Sequence, residues 1–448
     1  MSREKKYEID MCNGSIMDKL ISFALPLMLS GMLQLMFNAV DIVVVGRFSG
    51  SQSLAAVGAT TALIYLFTNL FIGISLGANV LAARYYAAGK HEEMSETVHT
   101  AMMFALISGI IMIFVGLFFS RLALEIMGTP SDVIDQATLY MRIYFFGMPF
   151  FMLYNYGAAI LRAVGDTKRP LIFLIISGVV NACLNMLLVI VFHLDVAGVA
   201  IATVTSQFIS CVLVIGCLYR TKSSYQLRFS RLKIRKEYLK PICQVGIPAG
   251  IQSTVINFSN ALLQSSVNSF GSTTMAGYTA ANNIFGFLYV SVNAITQACM
   301  SFTSQNYGLR KLKRMDKILM DCLILTVVVS LVLGGGVYLF GAEILRLYTE
   351  EAEVIRCGIE IFAYTTVTYF LCGIMDLFPG ALRGMDRSTV PMILSVIGTV
   401  GTRIVWVFWL FPAHRSLAFL FISYPASWLI TIVMQVICFY FVRRKVHG

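Results

Sequence analysis

The sequence predicts an all-α integral membrane protein with twelve transmembrane helices, arranged as two parallel six-helix repeats related by a pseudo-two-fold axis along the membrane normal. Three observations lead to this fold class. Of the 448 residues, 58% are hydrophobic and only 13% are charged, whereas a soluble domain has about 25% charged residues. Apolar runs long enough to cross a bilayer recur along the chain. A polar connection in the first half also returns, in similar form, in the second half.

Each helix is predicted from a stretch of about 20 or more mainly apolar residues, the length that crosses the hydrocarbon core of a bilayer. Runs such as ALISGIIMIFVGLFF do not alternate between apolar and polar residues, which excludes the strands of a membrane β-barrel. The first run is too long for the core of a signal peptide, so we expect it to be an uncleaved span. The predicted spans are 16–46, 53–82, 95–119, 134–161, 170–192, 195–219, 238–268, 274–302, 317–341, 354–381, 391–411 and 416–442.

Lysine and arginine are distributed unevenly over the connections between these spans. Of the 34 such residues, 27 lie in the two termini and the even-numbered connections or at the span ends that adjoin them, and 4 belong to the odd-numbered connections. Because positively charged connections stay on the cytoplasmic side, we expect a multi-pass protein of the cell membrane with both termini in the cytoplasm. The net charge of +11 follows from this topology, so we expect no nucleic-acid partner. The basic run RLKIRK, 231–236, is predicted to contact the membrane surface.

The two halves of the chain resemble each other at a nearly constant spacing. The connection AILRAVGDTKRPLI, 159–172, returns as GALRGMDRSTVPMI, 380–393. Since each half holds six spans, both halves enter the membrane from the same side, which is typical of transporters with parallel repeats. We therefore predict an N-terminal lobe over 1–220, a basic cytoplasmic linker over 221–237 and a C-terminal lobe over 238–448.

Four residues of the repeats are predicted to have structural roles. Arg162 and Arg383 come at the cytoplasmic ends of helices, where a guanidinium faces the negative end of the helix dipole. Pro26 and Pro248, which match each other between the halves, lie inside long spans, where proline removes a backbone hydrogen bond and kinks the helix. Such a kink is either static or a point of bending during gating.

Asp41 is the principal functional candidate, because an ionisable side chain within a membrane span is rare and costly. Gln34 and Asn38 lie seven and three residues before it, so all three share one face of the first span. Two further spans place polar residues four apart. We predict that these and other polar side chains of the first half line one cavity with Asp41, or else form interhelical hydrogen bonds: Asn69, Tyr154, Asn155, Asn181, Asn185, Thr203 and Gln207.

The second half has polar positions of a different charge. Asp376 and Arg403 are predicted within spans ten and eleven. We expect them either to form a structural ion pair or to contribute to the cavity. Three uncharged residues of the seventh and eighth spans are further cavity candidates, namely Gln252, Asn257 and Asn283.

With these residues in place, the chain resembles the multidrug and toxic compound extrusion (MATE) transporters over essentially its whole length. The resemblance rests on ALP in the first span, GIP in the seventh, NAVDIVVVGRFSG, and the LRAVGDTKRP connection with its partner LRGMDRSTVP. It implies that Asp41 is the ion-coupling carboxylate, assisted by Asn181, Asn185 and Thr203. Many members have an aspartate where this chain has Asn185, and one branch has a glutamate in a seventh span that holds no acid here.

The function implied is secondary active antiport: export of amphipathic, cationic drugs or toxic compounds in exchange for H⁺ or Na⁺, by alternating access between two lobes. A single carboxylate favours H⁺, since one proton neutralises it. The alternatives are a flippase of a lipid-linked precursor and a channel. We expect no enzyme activity, no cofactor beyond the coupling ion and no metal site. The expected partners are small-molecule substrates and membrane lipids, and we expect a monomer.

Overall fold

The computed structural model describes residues 7–447, a range in which helices are joined by short turns and no β-strand occurs. In chain order the α-helices are α1 Met17–Phe48, α2 Gly50–Ala87, α3 His91–Ile126, α4 Ile134–Phe146, α5 Met148–Ala163, α6 Lys168–Asn185, α7 Asp195–Arg220, α8 Lys236–Asn268, α9 Ser272–Gly308, α10 Leu312–Leu339, α11 Gly341–Arg346, α12 Ala352–Thr365, α13 Tyr369–Gly384, α14 Thr389–Ser395, α15 Thr402–Val405 and α16 Leu417–His447.

The helices account for the twelve transmembrane spans that the sequence predicts, six in each repeat, and the predicted fold class is confirmed. Within residues 7–447, nine helical segments are long and apolar enough to cross a membrane. Two more spans are bent helix pairs, α4 with α5 at 48° and α12 with α13 at 51°. The twelfth is α8, whose 33 residues are long enough to cross the bilayer although its polar side chains lower its mean hydropathy.

Several spans contain π-helical turns. Met186–Val191 continues α6, and Val396–Gly401 with Trp406–Leu410 flanks α15 in the eleventh span. A π-helical turn shifts the register of the side chains that follow it, and such turns are frequent at functional sites. In this chain they occur in the fifth span of each repeat.

The described residues form two compact units whose boundaries differ from the predicted lobes. The first unit comprises 7–10 and 29–250, and the second comprises 11–28 and 251–447. Each unit therefore includes part of α1 and part of α8. The change from one unit to the other comes two residues after Pro26 and two residues after Pro248.

Close helix packing explains why 236–250 belongs to the first unit. A Cβ atom on Gly77 of α2 would lie 2.0 Å from the carbonyl oxygen of Ile242, and one on Gly73 would lie 2.3 Å from the backbone nitrogen of Gly250. Gly73 and Gly77, like Gly246 and Gly250, are spaced four apart, and small residues at this spacing let membrane helices approach closely. The start of α8 is thus packed directly on α2.

The basic linker also belongs to the first unit, because it is bound to the start of α3. Arg235 forms an ion pair of 2.6 Å with Glu96, and Arg231 forms one of 3.6 Å with Glu92. Contact of this run with the membrane surface stays a prediction. Both arginines of the run are paired with acids of the protein, so the contact would be made mainly by its lysines.

The surface of the helices is apolar, as a lipid environment requires. Phe118 is 73% exposed and Leu339 is 74% exposed, and both lie in the middle or last turns of long spans. Inside each unit the large buried side chains form a separate core, with Phe145 and Tyr156 in the first and Phe362 and Phe421 in the second. Apolar residues thus lie both inside and outside, which is why the sequence carries so few charges.

The repeated connection has the same backbone turn in both halves. The amide of Gly165 donates to the carbonyl of Arg162, and the amide of Asp386 donates to the carbonyl of Arg383. Both central residues have positive φ, 92° for Gly165 and 61° for Asp386. Only the first half has glycine at this left-handed position. Glycine adopts positive φ readily, whereas the aspartate of the second half does so less easily.

Candidate functional site

Asp41 lies in a small polar constellation of the first unit. The Nδ2 group of Asn185 donates a hydrogen bond to the Asp41 carboxylate and lies 3.2 Å from the Oδ1 atom of Asn181. Asn185 and Asn181 are buried on one face of α6, one turn apart, and Asp41 is half-buried on α1. The carboxylate is therefore held by one uncharged amide, which also donates to a second.

One hydrogen-bonding atom of Asn185 is unused. Its Oδ1 atom is buried and has no hydrogen-bond partner among the described residues. Asn185 is also the last residue of α6 before the π-helical turn Met186–Val191. An unused acceptor next to a carboxylate provides a partner for a proton or a cation at this place, because a buried polar atom otherwise loses the hydrogen bonds it had in water.

Thr203 does not join this constellation. Its hydroxyl donates to the carbonyl of Val199, one turn earlier in its own helix, at 3.0 Å. The structure therefore brings together three of the four residues that the resemblance assigns to ion coupling, and the fourth side chain bonds to its own backbone.

Two cavity candidates of the first half have structural hydrogen bonds. Tyr154 donates to the carbonyl of Pro170 at 3.2 Å, and Asn155 donates to the carbonyl of Phe151 at 2.8 Å. Gln207 lies beside Tyr144 and has a buried Oε1 atom without a partner among the described residues.

The other three candidates of this half are less enclosed. Gln34 and Asn38 are exposed on α1, and Asn69 is half-buried on α2. The amides of Gln34 and Asn38 are thus accessible on the helix that carries Asp41.

The second unit separates Asp376 and Arg403, for which an ion pair was one of two expectations. Arg403 donates to the Oδ1 atom of Asn260 at 2.7 Å and lies 3.4 Å from the hydroxyl of Ser259. Asp376 is half-buried and forms no ion pair with Arg403 within residues 7–447. The predicted ion pair is wrong, because the guanidinium points to α8 while Asp376 lies on α13.

Arg383 has an uncharged partner as well. Its Nη2 atom donates to Oε1 of Gln252 at 2.6 Å, and both side chains are buried. Gln252 therefore fixes an arginine at the end of α13. Asn257 and Asn283, the other two candidates of this half, are exposed.

The four residues with expected structural roles lie where the sequence places them. Arg162 and Arg383 are in the last turns of α5 and α13. Pro26 and Pro248 lie inside α1 and α8, both of which continue through the proline.

The sequence did not single out two contacts of Arg403. One is Ser259, and the other is the ring of Tyr424 in the last span, whose centroid is 4.5 Å from the guanidinium carbon. The sequence did contain a pointer to Asn260. The spacing that relates Pro26 to Pro248 also relates Asn38 to Asn260.

Comparisons with known proteins show what this architecture is similar to. The family model described as MatE matches the chain twice, at residues 26–187 and 248–409. The probable multidrug resistance protein YoeA of Bacillus subtilis is 28% identical over 94% of this chain and 93% of its own length. The multidrug export protein MepA of Staphylococcus aureus is 21% identical over 89% of this chain and 87% of its own length.

A solved structure has the same fold. An outward-facing structure of a multidrug resistance MATE family transporter covers 98% of this chain and 97% of its own, with a TM-score of 0.88 and 20% identity. The two matched ranges of the family model begin at Pro26 and Pro248, the prolines that mark the internal repeat in the sequence.

Proposed function

We propose a multidrug efflux function from one premise: the chain belongs to the MatE family of membrane transporters. In this proposal it is a secondary active antiporter that exports amphipathic, cationic compounds by alternating access. The names of the relatives in Bacillus subtilis and Staphylococcus aureus support export of several drugs. No feature of the described residues favours a flippase or a channel.

The observation that carries the proposal is the contact between Asp41 and Asn185. An antiporter needs a group that binds the coupling ion and changes its interactions when it does so. Asp41 has no cationic partner among the described residues, and its hydrogen bond comes from a neutral amide. Its charge is therefore available to an ion rather than held by a salt bridge.

The same contact supports H⁺ as the coupling ion. An ionised Asp41 accepts from the Nδ2 group of Asn185, whereas a protonated Asp41 is itself a donor and needs an acceptor. Rotation of the Asn185 amide would present its buried, unpartnered Oδ1 atom to that proton. Because Nδ2 of Asn185 also donates to Oδ1 of Asn181, the Asn181 amide would rotate as well, so that its N–H group donates to Oδ1 of Asn185. The three side chains can thus satisfy both protonation states, and the experiment must distinguish H⁺ from Na⁺.

Export also requires an orientation in the membrane. We place both termini in the cytoplasm of a cell-membrane protein, because most lysines and arginines belong to that side. Unpaired cysteines at two exposed serines test this placement: Ser230 in the basic linker and Ser131 between α3 and α4.

The labelling experiment compares Ser131→Cys with Ser230→Cys, each relative to the unmodified chain with its ten native cysteines. A membrane-impermeant maleimide should label Ser131→Cys in intact cells and Ser230→Cys only after the cells are opened. Labelling of Ser230→Cys in intact cells would overturn the orientation.

The antiport itself is tested in vesicles that contain the purified protein. Accumulation of a fluorescent cationic dye is followed under an imposed pH gradient without Na⁺, and then under a Na⁺ gradient without a pH difference. The proposal predicts concentrative dye movement with the pH gradient. Passive dye or ion flux with no dependence on either gradient would instead indicate a channel.

A further inference from the structure

Arg403 is a buried charge that the proposed ion coupling does not use. The residue lies in the short helix α15, flanked by π-helical turns in the eleventh span. Its side chain is 2% exposed. A charge placed within a membrane span is expensive, and it is retained when it binds a partner, a substrate or an ion.

The contacts of Arg403 hold the guanidinium without neutralising it. Nη1 donates to Asn260 and lies near the hydroxyl of Ser259, and the ring of Tyr424 faces the guanidinium. These partners are an amide, an alcohol and an aromatic ring, none of which is an acid. Arg403 forms no ion pair within residues 7–447, so its positive charge has no counter-charge among them.

One edge of the guanidinium is free. Nε is buried without a hydrogen-bond partner among the described residues, and the contacts to Asn260 and Ser259 both come from Nη1. Nε and Nη2 together form a fork of two parallel N–H groups, the geometry that binds both oxygens of a carboxylate. This edge is therefore shaped for an anionic group.

The repeat explains why the chain does not supply that anion itself. Arg403 and Asn181 lie in the fifth span of their repeats, twelve residues after Pro391 and eleven residues after Pro170, the repeated prolines near the start of these spans. Asn181 belongs to the constellation of Asp41, whereas the position that corresponds to Asp41 is Leu263, which is buried and apolar. The first unit thus has an acid with amides, and the second has a base with an amide and no acid.

We propose that Arg403 binds an anionic group, a carboxylate, on the exported compound, with the Nε–Nη2 edge as the contact. The inference rests on the proposed export function and narrows its substrate class to amphipathic zwitterions, in which a cationic amine accompanies an acid. Asn260 and Ser259 act as positioning residues, since their contacts to Nη1 fix the plane of the guanidinium and leave the other edge without a partner. Tyr424 supports the guanidinium from its face.

A lipid phosphate has related chemistry, and the experiment separates it from a substrate carboxylate. The probes are tetramethylrhodamine, a zwitterion with a free carboxylate, and its methyl ester, a cation of the same shape. Their Kd values for the purified full-length protein are measured by fluorescence anisotropy in detergent. The ratio of the two Kd values isolates the carboxylate, because the ring system is common to both dyes.

For each protein, the Kd of the ester is divided by the Kd of the free acid. This ratio should be about tenfold higher for the wild-type protein than for Arg403→Gln, because one charge-assisted hydrogen-bonded pair is lost. Arg403→Gln should bring the ratio of the two Kd values to that of the dyes with detergent alone. Arg415→Gln, which removes an exposed arginine of the same unit, should keep the wild-type ratio.

Arg403→Lys keeps the charge but not the fork, and should give an intermediate ratio. It also serves if Arg403→Gln does not yield folded protein. A wild-type ratio equal to that of detergent alone, or an unchanged ratio in Arg403→Gln, would overturn the proposal. Stabilisation of the wild type but not of Arg403→Gln by short-chain phosphatidylglycerol, together with an absent dye preference, would assign the site to lipid and likewise overturn it.

Different experimental results would contradict this inference and the proposed export function. If vesicles accumulate both dyes under an ion gradient with no preference for the acid, export stands and the carboxylate contact is wrong. If neither dye moves under any gradient, export of these compounds fails regardless of Arg403.

Discussion

The fifth span of each repeat approaches the first span of the same repeat with opposite chemistry. In the first unit, Asn185 of α6 donates to the carboxylate of Asp41 on α1. In the second unit, Arg403 of α15 donates to the amide of Asn260 on α8. A negative and a positive side chain are thus held at related places by neutral partners.

The difference indicates a division of tasks between the repeats. Each charge lacks an opposite charge of the chain among the described residues, and an unpaired buried charge is stable only when hydrogen bonds and an external partner compensate it. The acid suits a coupling cation and the guanidinium suits an anionic group. On the two proposals above, one duplicated scaffold carries two sites of opposite charge.

The largest effect is expected where the packing of 236–250 on α2, within the first unit, is broken. Gly77→Val should prevent folding or reduce stability by about 1–3 kcal/mol or more, because new atoms would meet the carbonyl of Ile242. Gly216→Val is the control, since a Cβ atom there meets nothing within 4 Å. The yield of monodisperse protein by size-exclusion chromatography measures both, and equal yields would contradict the packing of α8 on α2.

The acid constellation is tested by removing its donor. Asn185→Ala should reduce gradient-driven efflux about tenfold, because a hydrogen bond to a charged group contributes about 1.5–3 kcal/mol. Asn155→Ala removes an amide that bonds only to the backbone of its own helix and should leave efflux nearly unchanged. Efflux is compared at matched protein levels, and equal rates for the two variants would remove Asn185 from the coupling site.

The smallest effect distinguishes the two repeated connections. Asp386→Gly should change the free energy of unfolding by less than about 1 kcal/mol, since glycine adopts positive φ readily but adds freedom to the unfolded chain. Gly165→Asp should cost about 1–3 kcal/mol, because its Cβ atom would lie 2.6 Å from the backbone of Ile9. Thermal unfolding in detergent measures both variants, and a Gly165→Asp protein as stable as wild type would show that the first connection tolerates a side chain.

The sequence was sufficient for the spans and the repeat, because lipid imposes long apolar helices and duplication preserved the prolines and the LR connections. It did not predict the unit boundary at 250/251, which depends on glycines of α2 and α8 meeting across the first unit. One of its two expectations for Arg403 was an ion pair with Asp376, which rested on charge alone. The partners of a buried arginine depend on which helix faces it, and Asn260 is 143 residues away in the chain.

Asp41 was found from the sequence because a charge in an apolar run needs no knowledge of its neighbours to be noticed. Thr203 was assigned by resemblance, and its hydroxyl bonds to its own helix. A charged residue within an apolar run is visible in the sequence itself. The direction in which a small hydroxyl points depends on local packing, which the sequence does not show.

The central claim is that Asp41 couples an ion to export, and Asp41→Asn tests it most directly. Asparagine keeps the size of the side chain and its hydrogen bonding, so the variant should fold and insert normally, but its charge does not change on ion binding. Asp135→Asn is the control, since it removes an exposed acid of the same half that pairs with Arg121 at 2.8 Å. Dye efflux at matched protein levels should be abolished in Asp41→Asn and retained in Asp135→Asn, whereas full efflux by Asp41→Asn would contradict the account and direct attention to Asp376.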